Sequence, residues 1–165
     1  MRIYKNINKN NQLIFTKKFP CKKVSISSKK HKAMLGIGGN VGDVIRRFEH
    51  LFTYLNRSVF LNILKTSPIL KNPPFGYLEQ NDFHNSLLLV ETNLTPRELL
   101  SFVLHTEKIF GRKRSFENAP RTLDIDIIFY DNIEINSKTL TIPHPQWSKR
   151  DSILIPLSYM KGRVW

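Results

Sequence analysis

Residues 120–130 read PRTLDIDIIFY. Leu123, Ile125, Ile127, Ile128, Phe129 and Tyr130 are residue types that pack well on a pleated surface, so the run predicts a strand. Two aspartates interrupt it, one residue apart. Successive side chains of a strand point to opposite faces. Asp124 and Asp126 therefore share a face, about 7 Å apart at about 3.3 Å per residue, and Leu123, Ile125, Ile127 and Phe129 line the other. Paired carboxylates repel unless something positive lies between them. Arg121 just upstream can supply that charge, and so can a divalent cation; the bland alternative is a solvated acidic face.

Working back from this strand, the loop GRKRSFENA at 111–119 precedes it. Before the loop, Thr95-Pro96-Arg97-Glu98 has the form of a capping box with proline at the first helical position. It predicts a helix through Leu99, Leu100, Val103, Leu104 and Glu107, ending at Gly111. FHNSLLLVET at 83–92 and VFLNILKTS at 59–67 predict strands, joined by the Pro- and Asn-rich stretch 68–82. Val44, Ile45, Phe48, Leu51, Phe52 and Leu55 recur at helical spacing behind Asp43. AMLGIG at 33–38 reads as a buried strand closed by Gly38-Gly39-Asn40. The order β-α-β-β-α-β predicts an α+β, ferredoxin-like domain: an antiparallel sheet with the helices on one face. Such a fold hosts many activities, so function has to come from the site.

A chain of 165 residues with 41% hydrophobic and 24% charged residues is long enough for one domain with its own core. One cysteine, Cys21, excludes an internal disulfide framework and fits the reducing cytoplasm. No apolar run has the length of a membrane span, and the first residues lack the apolar stretch of a secretory leader. The net charge of +13 is concentrated: residues 1–32 hold ten of the 26 Lys and Arg and none of the 13 acids. That composition predicts a basic, flexible N-terminal extension at 1–32 ahead of a catalytic domain at 33–165. Within it, QLIFTKKF and KKVSISS each have the makings of a short strand.

Several polar features surround the acidic strand. Arg112, Lys113, Arg114 and Arg121 fall within ten positions, as a clamp for phosphate oxygens would require, although such a run is usually a solvated loop. His144 is held between prolines in TIPHPQWSKR, with Lys149 and Arg150 after it; a lone histidine is more often structural. NPPFG at 72–76 forms either a rigid wall or an ordinary turn. Phe83 and Asn85 share a strand face, an aromatic plane beside an amide, which suits a flat heterocycle as well as it suits a core position.

Taken together, GRKR, APRTLDIDIIFYDN, LTIPHP and ILIPL, with GGN at 38–40, PPFG at 73–76, Phe83 and Asn85, resemble the hydroxymethyldihydropterin pyrophosphokinases of folate synthesis over residues 34–157. The resemblance implies a ferredoxin-like fold. It implies transfer of the terminal diphosphate of ATP to the hydroxymethyl group of a reduced pterin, with release of AMP. By matching positions, Asp124 and Asp126 are the ligands of two Mg²⁺ ions, and Arg112 and Arg121 stabilise charge on the transferring group. Arg114, Arg121, Ile127, Thr141, His144 and Arg150 meet ATP, while Pro74, Phe75, Phe83 and Asn85 hold the pterin. The enzyme so implied is a cytoplasmic monomer with no membrane or specific nucleic-acid partner.

The chain departs from its relatives in three places. Glu117-Asn118-Ala119 replaces a usual Arg-Trp-Gly in a loop one residue shorter. Ser152 stands where many relatives place an aromatic, for which Trp147 and Phe116 are the candidate substitutes. Gly39 replaces a common serine. Among other classes, an RNA-binding ferredoxin-like module would need aromatic-bearing strands, which AMLGIG and SLLLVET are not. A nucleotide-sugar transferase using Asp-x-Asp would need a longer chain.

Overall fold

A computed structural model describes residues 1–24 and 29–160. Nine strands and three helices follow one another: β1 (Ile3–Asn6), β2 (Gln12–Phe15), β3 (His31–Gly39), α1 (Val44–Arg57), β4 (Leu61–Thr66), β5 (Ile69–Asn72), β6 (Phe83–Thr92), α2 (Pro96–Ile109), β7 (Asp124–Tyr130), β8 (Ile135–Asn136), β9 (Thr141–Ile142) and α3 (Asp151–Ser158). The expected β-α-β-β-α-β order is that of β3, α1, β4, β6, α2 and β7. These four strands lie side by side in the order β7-β3-β6-β4, every pair antiparallel. β4 and β5 run one after the other along β6, and β8 and β9 form a separate two-stranded ribbon.

Local sequence explains the two long helices. The Asp43 carboxylate accepts the Arg46 N–H at 3.0 Å and caps α1. Its stripe Val44, Ile45, Phe48, Leu51, Phe52 and Leu55 is buried. The capping box of α2 closes in both directions, Thr95 N–H to Glu98 at 2.7 Å and Glu98 N–H to Thr95 at 3.3 Å. Both helices pack on one face of the sheet, against Ala33, Leu35 and Ile37 of β3 and Leu88 and Val90 of β6.

The opposite face is where the structure departs from expectation. A third helix, α3, covers part of it, packing Ile153 with Met34, Leu87, Leu89, Ile128 and Met160. Phe129 also belongs to this second cluster, not to the face of Ile125 and Ile127. The cause is a register shift between β3 and β7: Met34 pairs with Phe129 but Leu35 pairs with Ile127, leaving Ile128 as an extra residue. A bulge of this kind reverses the alternation beyond it.

The N-terminal segment also has a place different from the extension expected at 1–32. β1 pairs with β2, and β2 pairs with β5, so the hairpin enlarges the main sheet. Leu13 is 0%, Ile14 1% and Phe19 0% exposed, as deep as any residue of the core. Farther on, Lys18 Nζ donates to Glu49 O and Thr53 Oγ1 on α1. The physical reason is that three apolar side chains suffice to seat a strand and a turn; the lysines between them stay at the surface. KKVSISS meets the domain through Lys22, which bridges to Lys65, while Ser25–Ser28 lie outside the described residues.

Candidate active site

The carboxylates of Asp124 and Asp126 do share a face. Asp124 lies opposite Gly38 and Asp126 opposite Gly36 on the central strand β3. Gly38 is also opposite Asn85 of β6, so Asn85, Gly38 and Asp124 form a row across three strands. A side chain at 38 has no room: its Cβ would lie 2.7 Å from Asp124 Oδ1 and 2.8 Å from Asn85 Oδ1. At Gly39 the Cβ would meet Thr122 O at 2.5 Å, so a serine here would need the backbone to shift.

Arg121 answers half of the charge question. Its Nη1 pairs with Asp124 Oδ2 at 3.1 Å, and its guanidinium lies 5.7 Å from the Phe83 ring centroid. Asn40 fixes its backbone: Arg121 N–H donates to Asn40 Oδ1 at 2.9 Å, and Asn40 N–H to Arg121 O at 3.0 Å. The same Asn40 amide donates to Gln80 Oε1 and Asn81 O, tying the end of β3 to the 73–82 loop.

Asp126 is the unanswered half. It is half-buried, and among the described residues it has no hydrogen-bond or ion-pair partner. Burial, then the charges of Asp124 and Glu107, push its carboxyl up to about 6, against smaller opposing effects of Arg150 and Arg112. A carboxylate held this way, beside a second one with no third acidic or histidine ligand clustered among the described residues, fits a cation whose coordination is completed by substrate oxygens. Magnesium bound through one or two carboxylates and phosphates has that donor set.

Beside the acid pair opens a cleft of about 350 Å³, lined on one side by Asn72, Pro74, Phe75, Phe83 and Asn85 and on the other by Arg121, Asp124, Lys149, Arg150 and Ser152. All four expected heterocycle-holding residues are therefore brought together. Phe75 is 78% exposed, an unusual position for a phenylalanine, with the Arg150 guanidinium 6.0 Å from its ring centroid. Trp147 does not replace the aromatic missing at Ser152: its ring packs edge-on against Phe129, centroids 5.0 Å apart, within the second core cluster. Phe116 instead meets Tyr77 at 5.5 Å on the outer loops.

The other expected residues divide. Arg150 lines both the cleft and the narrow space over Asp126. Thr141 opens β9, and His144 N–H donates to Ile128 O at 2.9 Å, which sets the turn after β9 alongside β7. Burial first, and then Arg150, hold the His144 imidazole below its usual value, in the neutral form. Ile127 turns its side chain into the core on the helical face and does not line the cleft; Ile128 is the side chain beneath the acid pair. Arg114 is exposed on the 111–120 loop and lines a concavity of that loop together with Arg112 and Arg121.

Two residues escaped the sequence reading. Asn72 Oδ1 accepts from Asn85 Nδ2 at 2.8 Å and fixes which end of that amide faces inward. Glu107, on the buried side of α2, accepts from Arg112 Nη1 and from Ile125 N–H, both at 2.7 Å. Its place in a helical apolar stripe was the only signal, a carboxylate where a leucine would be expected.

A larger hollow of about 640 Å³ lies between the end of α1 and α2, lined by His50, Tyr54, Val59, Phe60 and Phe102, but no acidic residue lines it. No helix among the described residues is long and apolar enough to cross a membrane.

An α+β sheet carrying an acid pair, guanidinium groups at hand, and an aromatic-and-amide wall opposite has the groups that moving a phosphate-bearing group onto a flat, polar-edged acceptor would need. The family model of 7,8-dihydro-6-hydroxymethylpterin-pyrophosphokinase matches residues 34–162, and this chain belongs to that family. It is 39% identical over 130 residues to a 2-amino-4-hydroxy-6-hydroxymethyldihydropteridine pyrophosphokinase of Helicobacter pylori, covering 78% of this chain and 80% of that protein. Proteins of the same name from Campylobacter jejuni and Aquifex aeolicus are 40% and 39% identical, over 84% and 79% of this chain and 88% and 80% of theirs.

Proposed function

We propose that this chain transfers the terminal diphosphate of ATP to the hydroxymethyl group of 6-hydroxymethyl-7,8-dihydropterin. The acceptor oxygen bonds to the β-phosphorus, the bond from that phosphorus to the oxygen bridging to the α-phosphate breaks, AMP leaves with that electron pair, and the hydroxyl proton passes to solvent. The observation that carries the reading is the Asp124–Asp126 pair, one acid paired with Arg121 and the other without a partner among the described residues, at the side of a cleft walled by Phe83 and Asn85.

Each residue then has a task. Asp124 and Asp126 would hold two Mg²⁺ ions, which when bound would neutralise phosphate charge and polarise the acceptor hydroxyl. Arg112 and Arg121 offset the charge that accumulates on the transferring group. Arg114, Thr141, His144, Arg150 and the Ile127 backbone hold the nucleotide. Phe83, Phe75 and Pro74 flank the pterin ring, and Asn85 meets its polar edge. Such positioning is worth orders of magnitude by itself for phosphoryl-type transfer. We place the reaction in the cytoplasm, consistent with the free Cys21, and on a monomer, since β5, β6, β7 and α3 supply both walls of the cleft.

The test is nucleotide analysis after incubation with ATP and magnesium, with and without the reduced pterin. AMP should accumulate only when the pterin is present. AMP at the same rate without it would remove the proposed acceptor.

A further inference from the structure

Glu107 does not line the cleft, yet it touches two of the elements that build it. It sits in the last turn of α2 and is 4% exposed. A carboxylate that deep is costly unless paired and hydrogen-bonded. Its Oε1 does both, accepting from Arg112 Nη1 at 2.7 Å and from Ile125 N–H at 2.7 Å. Ile125 is the residue between Asp124 and Asp126, on a strand whose one sheet partner among the described residues is β3, so the bond satisfies an N–H at the sheet edge. Arg112 is held twice, because its own N–H also donates to Glu107 O at 3.0 Å. Between them Gly111, at φ +84°, makes the sharp turn out of the helix.

We propose that Glu107 is a positioning residue for the transfer, one oxygen that sets the Arg112 guanidinium at a fixed distance from the Asp124–Asp126 segment of β7. The idea rests on the role given above to Arg112. Without the carboxylate only the backbone bond to Glu107 O holds Arg112, and the ordering of its long side chain has to be repeated in each turnover. Glu107 is no proton acceptor for the substrate, because its bonded oxygen already has two donors and it lies outside the cleft lining.

Steady-state kinetics of Glu107→Gln, Arg112→Ala and the double variant test this. The glutamine oxygen still accepts from Ile125 N–H but no longer carries the charge that holds the Arg112 guanidinium in an ion pair, so the single variant should melt close to the parent while kcat falls about 10-fold or more, as misplacement of a catalytic group does. KM for the pterin should stay within about twofold, and the double variant should be no slower than Arg112→Ala alone, the signature of two residues acting through one contact. A folded Glu107→Gln with unchanged kcat, or a double variant slowed by the product of the two single effects, overturns the proposal. Glu107→Asp gives a second reading should the glutamine variant not fold: it keeps the charge but is too short to reach both donors, so the same loss of kcat is expected and its absence is contrary. If Arg112→Ala alone runs at the parent rate, the role given to Arg112 fails, a result distinct from failure of Glu107.

Discussion

Asp126 shows how function and stability oppose each other at one side chain. An ordinary aspartate loses its proton well below the value of about 6 reached here, so between those limits the unfolded chain binds fewer protons than the folded one. Stability of the metal-free protein should therefore fall as pH rises from 4 to 7 through this group, then level off. Asp126→Asn, measured in EDTA by thermal melting, should raise the midpoint by a few degrees at pH 8 and by much less at pH 4. An equal shift at both values would mean that charge burial is not the cause. With magnesium and both substrates the sign reverses: Asp124→Asn or Asp126→Asn should lower turnover by about 10²-fold or more, because the cation loses an anionic ligand. Near-parental turnover at saturating magnesium would contradict that. Sequence alone made the shared face of the two acids legible, since alternation is a property of any strand. The missing partner of Asp126 was not legible, because it depends on what the fold brings within 4 Å.

At the scale of elements, the caps of α1 and α2 and the shared face of Phe83 and Asn85 on β6 were written locally and came out as read. α3 was not: ILIPL with Pro156 inside has no helical period, and it is helical because Ile153 fits over Leu87 and Ile128. The bulge at Ile128 likewise arises from pairing with β3, so Phe129 could not be placed from its own strand. These elements set the heterocycle wall. Phe83→Ala should weaken pterin binding strongly and leave ATP binding nearly unchanged. Ser152→Phe should tighten pterin binding, because Ser152 faces the cleft and neither Trp147 nor Phe116 fills that side. A stacking partner contributes about 0.5–1.5 kcal/mol beyond area burial, or about 2- to 10-fold in affinity. Calorimetry with the pterin and an inert ATP analogue measures both; weaker binding by Ser152→Phe would show that Phe75 already occupies the space.

For the whole molecule, the catalytic frame is the β7-β3-β6-β4 sheet with two helices, and the N-terminal hairpin completes it at β5. Composition hid that role: ten basic residues dilute Leu13, Ile14 and Phe19, and a charge average cannot distinguish a solvated tail from a strand with a basic outer side. Phe19 packs against Phe48 and Phe52, both ring pairs 6.1 Å apart. Phe19→Ala should therefore cost about 3–5 kcal/mol in urea unfolding, and a chain beginning at Ala33 should be destabilised at least as much. A loss below about 1 kcal/mol would mean that the segment does not dock in solution.

Phosphorus NMR of a completed reaction tests the central claim most directly, because it identifies the group that moved. With ATP, magnesium and the reduced pterin, the spectrum should show AMP and a pterin diphosphate in equal amounts, lost together in Asp124→Asn. ADP with a pterin monophosphate, or ADP with inorganic phosphate, would contradict the account, since either would place the attack at the γ-phosphorus and not at the β-phosphorus.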